Sequence, residues 1–317
     1  GEKIIIAIVG CGKMGKGLIS QLNRIDGIRP SIIIDHTPEK AKKVLEALGI
    51  TNIIITDSVE EAEAQLEKGG FAVSDNEELS YKVKQIEAVV EATGIPETGA
   101  RIALHTIENK KHIIMLNVEA DAVVGATLYK KAEEAGVVYT GIKGDEPGAI
   151  LELIDFAYGT GFDIVSVGKG KNNPLDVEAT DVTLKEEADR KGLAPHMLCS
   201  FVDGTNTMIE LTTVCNATGF IPDVPGCHGI TANPKEIANI LKRKDQGGIL
   251  EKEKVVEYAF GMAPGVFAIV TSEEPEVVDL MKYLGMGEGP NYLLYRPYHL
   301  TSLETPITIF NAVVKKE

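Results

Sequence analysis

The chain has 317 residues and a formal net charge of −15 at pH 7, with 32 basic and 47 acidic side chains. This length is enough for two domains, and 44% hydrophobic and 25% charged residues are ordinary for a globular protein rather than a disordered or fibrous one. The acidic excess disfavours non-specific binding to nucleic acid or to an anionic membrane surface, because both need a positive field. Small molecules are therefore the expected partners.

Neither a membrane span nor a secretion signal is predicted. No apolar run reaches the roughly 18 to 20 residues that cross a bilayer, and the first ten residues, GEKIIIAIVG, lack the basic and apolar regions of a signal peptide. The cysteines form neither a C-x-x-C pair nor a metal-ligand spacing, which is typical of reduced thiols. We expect a cytoplasmic protein.

The first part of the chain alternates apolar strands with helices. KIIIAIV is a continuous apolar run typical of a strand buried on both faces, and a glycine-rich turn, a helix and a second strand, PSIIIDH, follow it. A helix then begins at Thr-Pro and ends before Gly49. Further strands are predicted at TNIIIT, QIEAVVEATG, HIIMLN and VVYTGIKG. This alternation predicts a parallel sheet in a Rossmann NAD(P)-binding domain over residues 1–145.

The second part of the chain has a different pattern of predicted helices and strands. GAILELIDFAYGTG and DVTLKEEADRKG predict helices, FDIVSVG an alternating strand, and MLCSFVDG and TMIELTTVCNATG strands or strand-like segments. The pattern indicates an α+β domain for substrate binding and dimerisation over residues 146–290, with one sheet face left for solvent, a partner or a ligand. Residues 291–317 are expected to return to the Rossmann domain, and a purely packing role for this segment is the alternative. The predicted fold class is α/β.

The hexapeptide GCGKMG places Gly10, Gly12 and Gly15 as G-x-G-x-x-G between a strand and a helix. Asp35 ends the next strand, 20 residues after Gly15. In this context the first glycine permits a tight turn, the second brings the backbone close to a pyrophosphate, and the third lets helix and strand pack. The helix N-terminus then receives the negative charge. The motif predicts a dinucleotide cofactor.

Other residues complete the predicted cofactor site. Asp35 should accept hydrogen bonds from ribose hydroxyls, which favours NAD. His36 and Lys40 weaken this preference for NAD in favour of NADP. Two loops, EATG and NVEAD, follow predicted strands, and Thr93 and Asn117 in them suit the ribose and nicotinamide, with helix capping as the alternative. The predicted set for NAD or NADP is Gly10, Cys11, Gly12, Lys13, Met14, Gly15, Asp35, His36, Ala92, Thr93, Gly94 and Asn117.

Two motifs in the second part carry charged side chains. GDEPG holds Asp145 and Glu146, which could bind substrate hydroxyls, move protons or ligate Mg²⁺ or Mn²⁺; a cap-region role before a helix is the alternative. VGKGKNNPLD holds two lysines that predict an anion site in which one ammonium polarises a carbonyl or alkoxide, with a solvated basic loop as the alternative. The predicted catalytic residues are Lys169, Lys171 and Glu119, and the predicted substrate-binding residues are Asp145, Glu146, Asn172 and Asn173.

Together, GCGKMG, EATG, NVEAD, GDEPG, GKGKNNPLD, NATGFIPD and YRPYHL resemble the homoserine-dehydrogenase-like oxidoreductases that often carry a C-terminal SAF domain. That family includes proteins described as 1-deoxy-xylulose-5-phosphate reductoisomerase-like. The resemblance covers nearly the whole chain and implies a nicotinamide-binding domain, a catalytic and oligomerising domain, and NAD(P)-dependent oxidoreduction by a dimer or tetramer. Reductoisomerase-like members couple hydride transfer to rearrangement of a phosphorylated ketose, usually with a divalent metal. The chain stops at Glu317, so we expect the SAF domain to be missing.

The resemblance also separates the candidate substrates. True homoserine dehydrogenases are similar in the first domain but carry an Asn-Lys pair after the fifth strand, whereas here Asn117 is followed by Val118 and Glu119. The expected function is therefore oxidoreduction of a small anionic hydroxy or keto compound, a sugar phosphate or sugar acid, with or without isomerisation. The alternatives are a homoserine dehydrogenase, acting on homoserine and aspartate semialdehyde, and a dinucleotide-binding sensor without turnover.

Overall fold

The computed structural model describes residues 3–317, which divide into two compact units. Unit 1 comprises the described residues up to Asp145 together with Leu300–Glu317, and unit 2 comprises Glu146–His299. Residues 291–299, expected to belong with the C-terminal segment, lie instead in unit 2. The reason is that Asn291–Arg296 is a strand whose backbone pairs with Val266–Thr271 of the second sheet.

Unit 1 alternates strands and helices from its first described residues. The stretch FAVSDNEELSYKV, for which the pattern predicts no element, supplies both a strand and a short helix. The strands are β1 (Ile4–Val9), β2 (Ile28–Ile34), β3 (Ile53–Ile55), β4 (Phe71–Ser74), β5 (Ala88–Glu91), β6 (His112–Met115) and β7 (Tyr139–Gly141). The helices between them are α1 (Lys13–Leu22), α2 (Pro38–Ala47), α3 (Val59–Glu67), α4 (Glu78–Lys82), α5 (Pro96–Glu108) and α6 (Val118–Ala135).

The seven strands form one parallel sheet in the order β3-β4-β2-β1-β5-β6-β7. Successive residues of a strand point to opposite faces, so Ala7 and Val9 pack in one hydrophobic cluster with α3 to α6, while Ile6 and Ile8 pack in another with α1 and α2. The second cluster also receives Ile309 and other residues of the C-terminal segment. That segment contains a 3₁₀ helix (Thr301–Glu304), an α-helix (Thr305–Phe310) and a π-helical turn (Asn311–Lys315). Helices on both faces of a parallel sheet confirm the expected Rossmann-type α/β fold.

Unit 2 contains a mixed sheet and six helices longer than a 3₁₀ turn. Two of these helices correct the sequence prediction, because MLCSFVDG and TMIELTTVCNATG were expected to be strand-like and are helical. The helices are α7 (Glu146–Gly159), α8 (Lys185–Lys191), α9 (Pro195–Val202), α10 (Thr205–Thr218), α11 (Ile237–Ile240) and α12 (Pro275–Tyr283), with a 3₁₀ turn at Lys244–Gln246. The strands are β8 (Asp163–Lys171), β9 (Ile221–Pro222), β10 (Ile230–Thr231), β11 (Val255–Phe260), β12 (Val266–Thr271) and β13 (Asn291–Arg296).

The sheet of unit 2 has β8 at its centre. Strand β8 pairs in parallel with β11 and antiparallel with β12, which in turn pairs with β13. One face carries the apolar side of α7 and α10, including Ile150 and Leu211, and the other is covered by the segment around Ile237 and Leu241. Apolar clusters therefore pack on both faces of this sheet, for which the sequence pattern predicts one face left to solvent, a partner or a ligand. Among residues 3–317, no helix combines the length and hydropathy needed to cross a membrane.

Candidate active site

The glycine motif is shaped by close backbone packing. Gly10 has a φ of +100°, and a Cβ there would lie 2.6 Å from the carbonyl oxygen of Ala92. A Cβ on Gly15 would lie 2.0 Å from the carbonyl oxygen of Gly10. Around Gly12, in contrast, no atom lies within 4 Å of a Cβ position. The fold thus requires the first and third glycines, while the second leaves its backbone accessible to a ligand.

The N-terminus of α1 is free to receive an anion. Gly12 is the N-cap and makes no side-chain capping bond, so the first N–H groups of the helix lack a capping acceptor. Lys13 is exposed, and Met14 is partly exposed with its sulfur accepting from the Thr301 hydroxyl at 3.6 Å. Cys11 is fully buried, and burial raises the pKa of its thiol, followed by the charge of Asp35. Only the backbone of Cys11 can therefore face a cofactor.

Asp35 is held inward rather than presented to solvent. Its side chain is 4% exposed, its Oδ2 accepts from the Cys11 N–H at 2.8 Å, and its Oδ1 accepts from the Thr37 N–H at 3.0 Å. The imidazole of His36, which is 88% exposed, lies 3.3 Å from Oδ1, and the ammonium of Lys40 lies 3.8 Å from Oδ2. The accessible groups at the end of β2 are thus His36 and Lys40.

The loops after β5 and β6 differ in what they offer a cofactor. The Thr93 N–H donates to Oε1 of the buried Glu91 at 2.7 Å, and Gly94 has a φ of +68°, so this loop turns tightly beside the glycine motif. Asn117 is fully buried: its Oδ1 caps α6 by accepting from the Ala120 N–H, and its Nδ2 donates to the Ile95 carbonyl. Asn117 therefore caps α6, the alternative named above, and its amide has hydrogen-bond partners within unit 1.

Lys169 and Lys171 lie within β8, not in a loop after a strand. The glycines between and before them allow close packing: a Cβ on Gly168 would lie 1.9 Å from the Glu257 carbonyl oxygen, and one on Gly170 would lie 2.1 Å from the Ala263 nitrogen. Both lysines are buried, at 5% and 4% exposure. The solvated basic loop is therefore excluded, and the glycines are fixed by packing rather than flexible.

The ammonium of Lys169 is enclosed by two carboxylates. Its Nζ donates to Glu146 Oε1 at 2.7 Å and to Glu210 Oε2. Burial alone would lower the pKa of Lys169, but the charges of Glu210 and Glu146 outweigh it and raise that pKa. Burial, followed by the charge of Glu146, raises the pKa of Glu210 against the opposing effect of Lys169. The group is a buried cation with two acidic partners, one of which holds a proton more readily than an ordinary glutamate.

Lys171 has different surroundings. Its Nζ donates to the backbone carbonyl of Phe201 at 2.6 Å. Among residues 3–317, no carboxylate oxygen lies within 4.0 Å of Lys171 Nζ, so this ammonium has no ion-pair partner there. Burial, followed by the charge of Lys169, lowers the pKa of Lys171. A buried ammonium that pairs only with a carbonyl attracts an anionic ligand.

Both lysines line a cavity of about 180 Å³ in unit 2. His299 lines it too: Nδ1 lies 2.7 Å from the Pro264 carbonyl oxygen, which can only accept, so Nδ1 carries the hydrogen and Nε2 faces Glu146 Oε2 at 3.4 Å. Asn206 donates to Glu210 Oε1 at 2.7 Å. The polar residues around the cavity are Glu146, Lys169, Lys171, Asn172, Asn173, Asn206, Thr207 and His299.

Several of the predicted substrate-site residues lie in unit 2 around the two lysines. Glu146, Asn172 and Asn173 line the cavity with the lysines. Glu119 lies in the first turn of α6 in unit 1, and Asp145 is the last residue of unit 1 before α7 begins.

The carboxylates of Glu146 and Glu210 are close enough to share a hard cation, since their oxygens come within 4.8 Å of each other. Lys169, however, already places an ammonium between them, with hydrogen bonds to both. A divalent ion would have to compete with this cation for the same oxygens. The donor set therefore does not fit a resident Mg²⁺ or Mn²⁺, and the chemistry derived below uses none.

Four polar residues were not among those predicted for this site: Asn206, Thr207 and His299 line the cavity, and Glu210 pairs with Lys169. Glu210 and Asn206 lie at i and i−4 on α10, a segment read as strand-like, so their common face was not recognised. His299 stands in YRPYHL, which was interpreted as a segment returning to the Rossmann domain. Reading α10 as a helix would have placed an amide and a carboxylate one turn apart, which is the signal that could have found them.

Two protein families match the chain. The family described as oxidoreductase DRL, catalytic domain, matches residues 144–305, and the NAD binding domain of homoserine dehydrogenase matches residues 10–140. These matches confirm the resemblance drawn from the motifs. They also support NAD(P) binding by unit 1, where the glycine motif lies. No protein with a curated description matches the chain.

The chain is similar to solved structures of other oxidoreductases. A Thermotoga maritima protein described as a probable dehydrogenase is 16% identical, with a TM-score of 0.50 over 99% of this chain and 89% of its own. The WlbA dehydrogenase of Bordetella pertussis, solved with NADH and UDP-GlcNAcA, is 22% identical, with a TM-score of 0.37 over 57% of this chain and 47% of its own. UDP-N-acetylglucosamine 3-dehydrogenase GnnA from Acidithiobacillus ferrooxidans is 14% identical, with a TM-score of 0.38 over 58% and 56% of the two chains. The likeness to the Thermotoga maritima protein concerns the fold alone.

Proposed function

The chain belongs to the oxidoreductase DRL family, and we propose that it transfers a hydride between a nicotinamide cofactor and a small anionic hydroxy or keto compound, a sugar phosphate or sugar acid. The observation that carries this proposal is the buried ammonium of Lys171, which donates only to the Phe201 carbonyl and lines the cavity of unit 2. An anionic substrate group would supply the counter-charge that this cation lacks. Asn172, Asn173 and Asn206 add amides for hydroxyl groups.

Lys169 is proposed to face the reacting oxygen. Two of its three N–H groups are directed at Glu146 and Glu210, which leaves one for a substrate oxygen in the cavity it lines. When bound, the nicotinamide supplies the hydride. During reduction the carbonyl oxygen becomes negative, and a fixed ammonium stabilises that charge without reorganising.

Glu210 is proposed to replace the proton that Lys169 gives up. Burial raises the pKa of Glu210, so this carboxyl is a better proton donor near neutral pH than an exposed glutamate. Lys169 would pass one proton to the alkoxide and recover one from Glu210 Oε2, to which it is hydrogen-bonded. In oxidation the same two groups would accept the hydroxyl proton in the reverse order. No step requires a metal.

We further propose a preference for NADP(H) over NAD(H). Both oxygens of Asp35 are occupied by backbone N–H groups, so the carboxylate is poorly placed to accept from a ribose 2′-hydroxyl. The exposed neighbours are His36 and Lys40, which suit a 2′-phosphate. This reverses the expectation from the sequence, in which Asp35 favoured NAD.

A substrate panel tests the proposal. The protein is assayed with NADPH and NADH against phosphorylated ketoses, including 1-deoxy-xylulose 5-phosphate, and against sugar acids, the matching uncharged ketoses, and homoserine or aspartate semialdehyde. We expect turnover of a phosphorylated or carboxylated sugar and little of its uncharged analogue. A rearranged carbon skeleton in the product would identify a reductoisomerase. Equal turnover of charged and uncharged sugars would overturn the anion site.

The panel also decides between the two alternatives. Rapid turnover of homoserine or aspartate semialdehyde would identify a homoserine dehydrogenase, which the match over residues 10–140 keeps in consideration. Tight nucleotide binding by calorimetry without product from any compound would identify a sensor. Mutating Lys169 and Lys171 then tells whether the observed turnover uses the cavity of unit 2.

A further inference from the structure

A second cavity, of about 290 Å³, lies in unit 1 at the edge of the sheet opposite the glycine motif. Its wall includes Glu87, just before β5, and His112, the first residue of β6. These strands are parallel to β1, so the cavity lies at their amino ends, whereas the glycine motif follows the carboxyl end of β1. The cavity is therefore separate from the nucleotide loop.

Lysines dominate the lining of this cavity. Lys84, Lys110, Lys111 and Lys316 contribute four ammonium groups, against the single carboxylate of Glu87. Glu87 uses Oε1 to accept from the Ile5 N–H at 3.0 Å. The charged residues of the cavity wall are thus mainly basic, although the whole chain has a formal net charge of −15.

Among the described residues, three of the four ammonium groups have no carboxylate partner. Lys84 pairs with Glu63 at 3.4 Å. Lys111 is buried and donates to two backbone carbonyls at 2.9 and 2.6 Å, and burial lowers its pKa. Within the described part of the chain, no carboxylate oxygen lies within the 4.0 Å ion-pair limit of Lys110, Lys111 or Lys316. The cavity thus concentrates positive charge without neutralising it.

Lys110 and Lys316 also occupy backbone positions that usually take glycine. Lys110 follows α5 with a φ of 57°, and Lys316 follows the π-helical turn with a φ of 63°. A residue with a side chain is disfavoured in this left-handed region. Two lysines of the cavity wall are therefore held in backbone conformations that favour glycine.

The contact between His112 and Lys316 lacks an acceptor. His112 Nδ1 accepts from the Val138 N–H at 2.9 Å, so in the neutral imidazole the hydrogen is on Nε2. Nε2 lies 2.9 Å from Lys316 Nζ, and an ammonium can only donate. Two donors thus face each other, and His112 is nearly buried. An anion that contacts both nitrogens would accept from both.

From this geometry we propose that the cavity is a binding site for a phosphate group, either inorganic phosphate or the phosphate of a small metabolite. Its oxygens would accept from the Nε2–H of His112 and from the ammonium groups of Lys316 and Lys110. A phosphate has enough oxygens to meet several donors at once and makes charge-assisted hydrogen bonds. The cavity, at about 290 Å³, suits a small phosphorylated compound rather than a dinucleotide.

Calorimetric titration of inorganic phosphate, and separately of glycerol 3-phosphate, tests this site. The titrations use the full chain with Lys171→Met, to remove the anion partner of the other cavity, and saturating NADP⁺, to fill the nucleotide loop. We expect one phosphate to bind per chain. Adding Lys110→Ala and Lys316→Ala should raise the dissociation constant for phosphate at least tenfold. A change of this order is expected from the loss of one charge-assisted hydrogen bond. Binding of inorganic phosphate alone, or of the ester as well, distinguishes the two sources.

A matched control separates a site from general charge. Lys68→Ala with Lys315→Ala removes the same charge from exposed lysines of unit 1 and should change the dissociation constant less than about twofold. His112→Asn keeps an oxygen that can accept from Val138 but loses the Nε2 donor, so it should weaken phosphate binding while the protein stays folded. In the parent protein, phosphate should also shift the ring signals of His112 in an NMR titration.

Three results would overturn the proposal. The first is absence of phosphate binding in the Lys171→Met protein with NADP⁺ bound. The second is an unchanged dissociation constant in the Lys110→Ala, Lys316→Ala variant. The third is an equal loss of affinity in the Lys68→Ala, Lys315→Ala control, which would indicate a diffuse charge effect.

Discussion

Lys169 and Lys171 leave the same face of β8, two residues apart, and only Lys169 is balanced by carboxylates. Alternation along a strand places both ammonium groups in one cavity, while Glu146 and Glu210 neutralise just one of them. The sequence predicts an anion site in which one of the two lysines polarises the reacting oxygen. The different surroundings of the two ammonium groups support the assignment of Lys171 to the anion and Lys169 to the reacting oxygen.

Removing the charge of Lys171 should weaken substrate binding more than it affects the fold. Lys171→Met keeps most of the side-chain volume and removes one charge-assisted hydrogen bond, worth about 1.5 to 3 kcal/mol, so we expect KM to rise by roughly 10- to 100-fold. Steady-state kinetics with the substrate found in the panel would measure it. Lys185→Met, an exposed lysine on α8, is the control and should match the parent protein. An unchanged KM would contradict the anion role.

Removing the charge of Lys169 should affect stability as well as turnover. Lys169→Met leaves Glu146 and Glu210 buried without their cation, and breaking a buried ion pair costs about 3 to 5 kcal/mol. Urea unfolding should show this loss. The double variant Lys169→Met, Glu210→Gln removes one of the stranded charges, so it should recover part of the stability but none of the activity. Recovery of activity would show that Lys169 has only a structural role.

Substitutions at the second and third glycines of the motif should separate cofactor binding from folding. A Cβ on Gly12 meets open space, so Gly12→Ala should change the free energy of unfolding by only about 1 kcal/mol, yet raise the dissociation constant for NADPH. Gly15→Ala forces a Cβ to 2.0 Å from the Gly10 carbonyl and should destabilise unit 1. Fluorescence titration of NADPH and thermal unfolding measure the two effects. Normal NADPH affinity in Gly12→Ala would place the pyrophosphate elsewhere.

Cofactor preference should depend on the exposed cations after β2. His36→Ala with Lys40→Ala removes the groups suited to a 2′-phosphate, so kcat/KM for NADPH should fall by about tenfold or more, on the order of 1.4 kcal/mol. The value for NADH should change little. Lys42→Ala, on the same helix and paired with Glu46 at 3.7 Å, serves as the control. An equal fall for both cofactors would argue against 2′-phosphate recognition.

Stability should depend on the protonation of His112. Burial, followed by the charge of Lys316, lowers the pKa of His112 to about 4, whereas an unfolded histidine titrates near 6.5. Between these pH values the unfolded chain binds more protons, so stability rises with pH; the contribution is fully present above about 6.5 and is lost as pH falls toward 4. It amounts to roughly 3 kcal/mol.

Urea unfolding at pH 4.5 and pH 7 in phosphate-free buffer measures this dependence. Because other groups also titrate, the comparison is with His112→Asn, which cannot bind the proton and can still accept from Val138. The parent protein should lose more stability than the variant on acidification. Parallel losses in the two proteins would show that His112 is not the responsible group.

Prediction from the sequence worked best where the residues of a site are close together in the chain. The glycine motif could be predicted because its turn, helix start and following strand are contiguous, and the structure has all three. The pairing of Lys169 with Glu210 could not be predicted from the sequence, because 41 residues separate the two and the contact depends on how α10 packs against the sheet. That helix was also misread because Thr212, Thr213 and Val214 favour strands locally, while burial of Leu211 and Val214 stabilises the helix.

The C-terminal segment has a consequence for biosynthesis. Ile309, Ala312 and Val313 complete one of the two cores of unit 1, yet they are translated after all of unit 2. A nascent chain that has reached Asp145 therefore holds every strand of the nucleotide-binding sheet but lacks part of the cover for one face. That face should stay accessible to chaperones until synthesis passes Val313, and a fragment ending at Asp145 should be prone to aggregation.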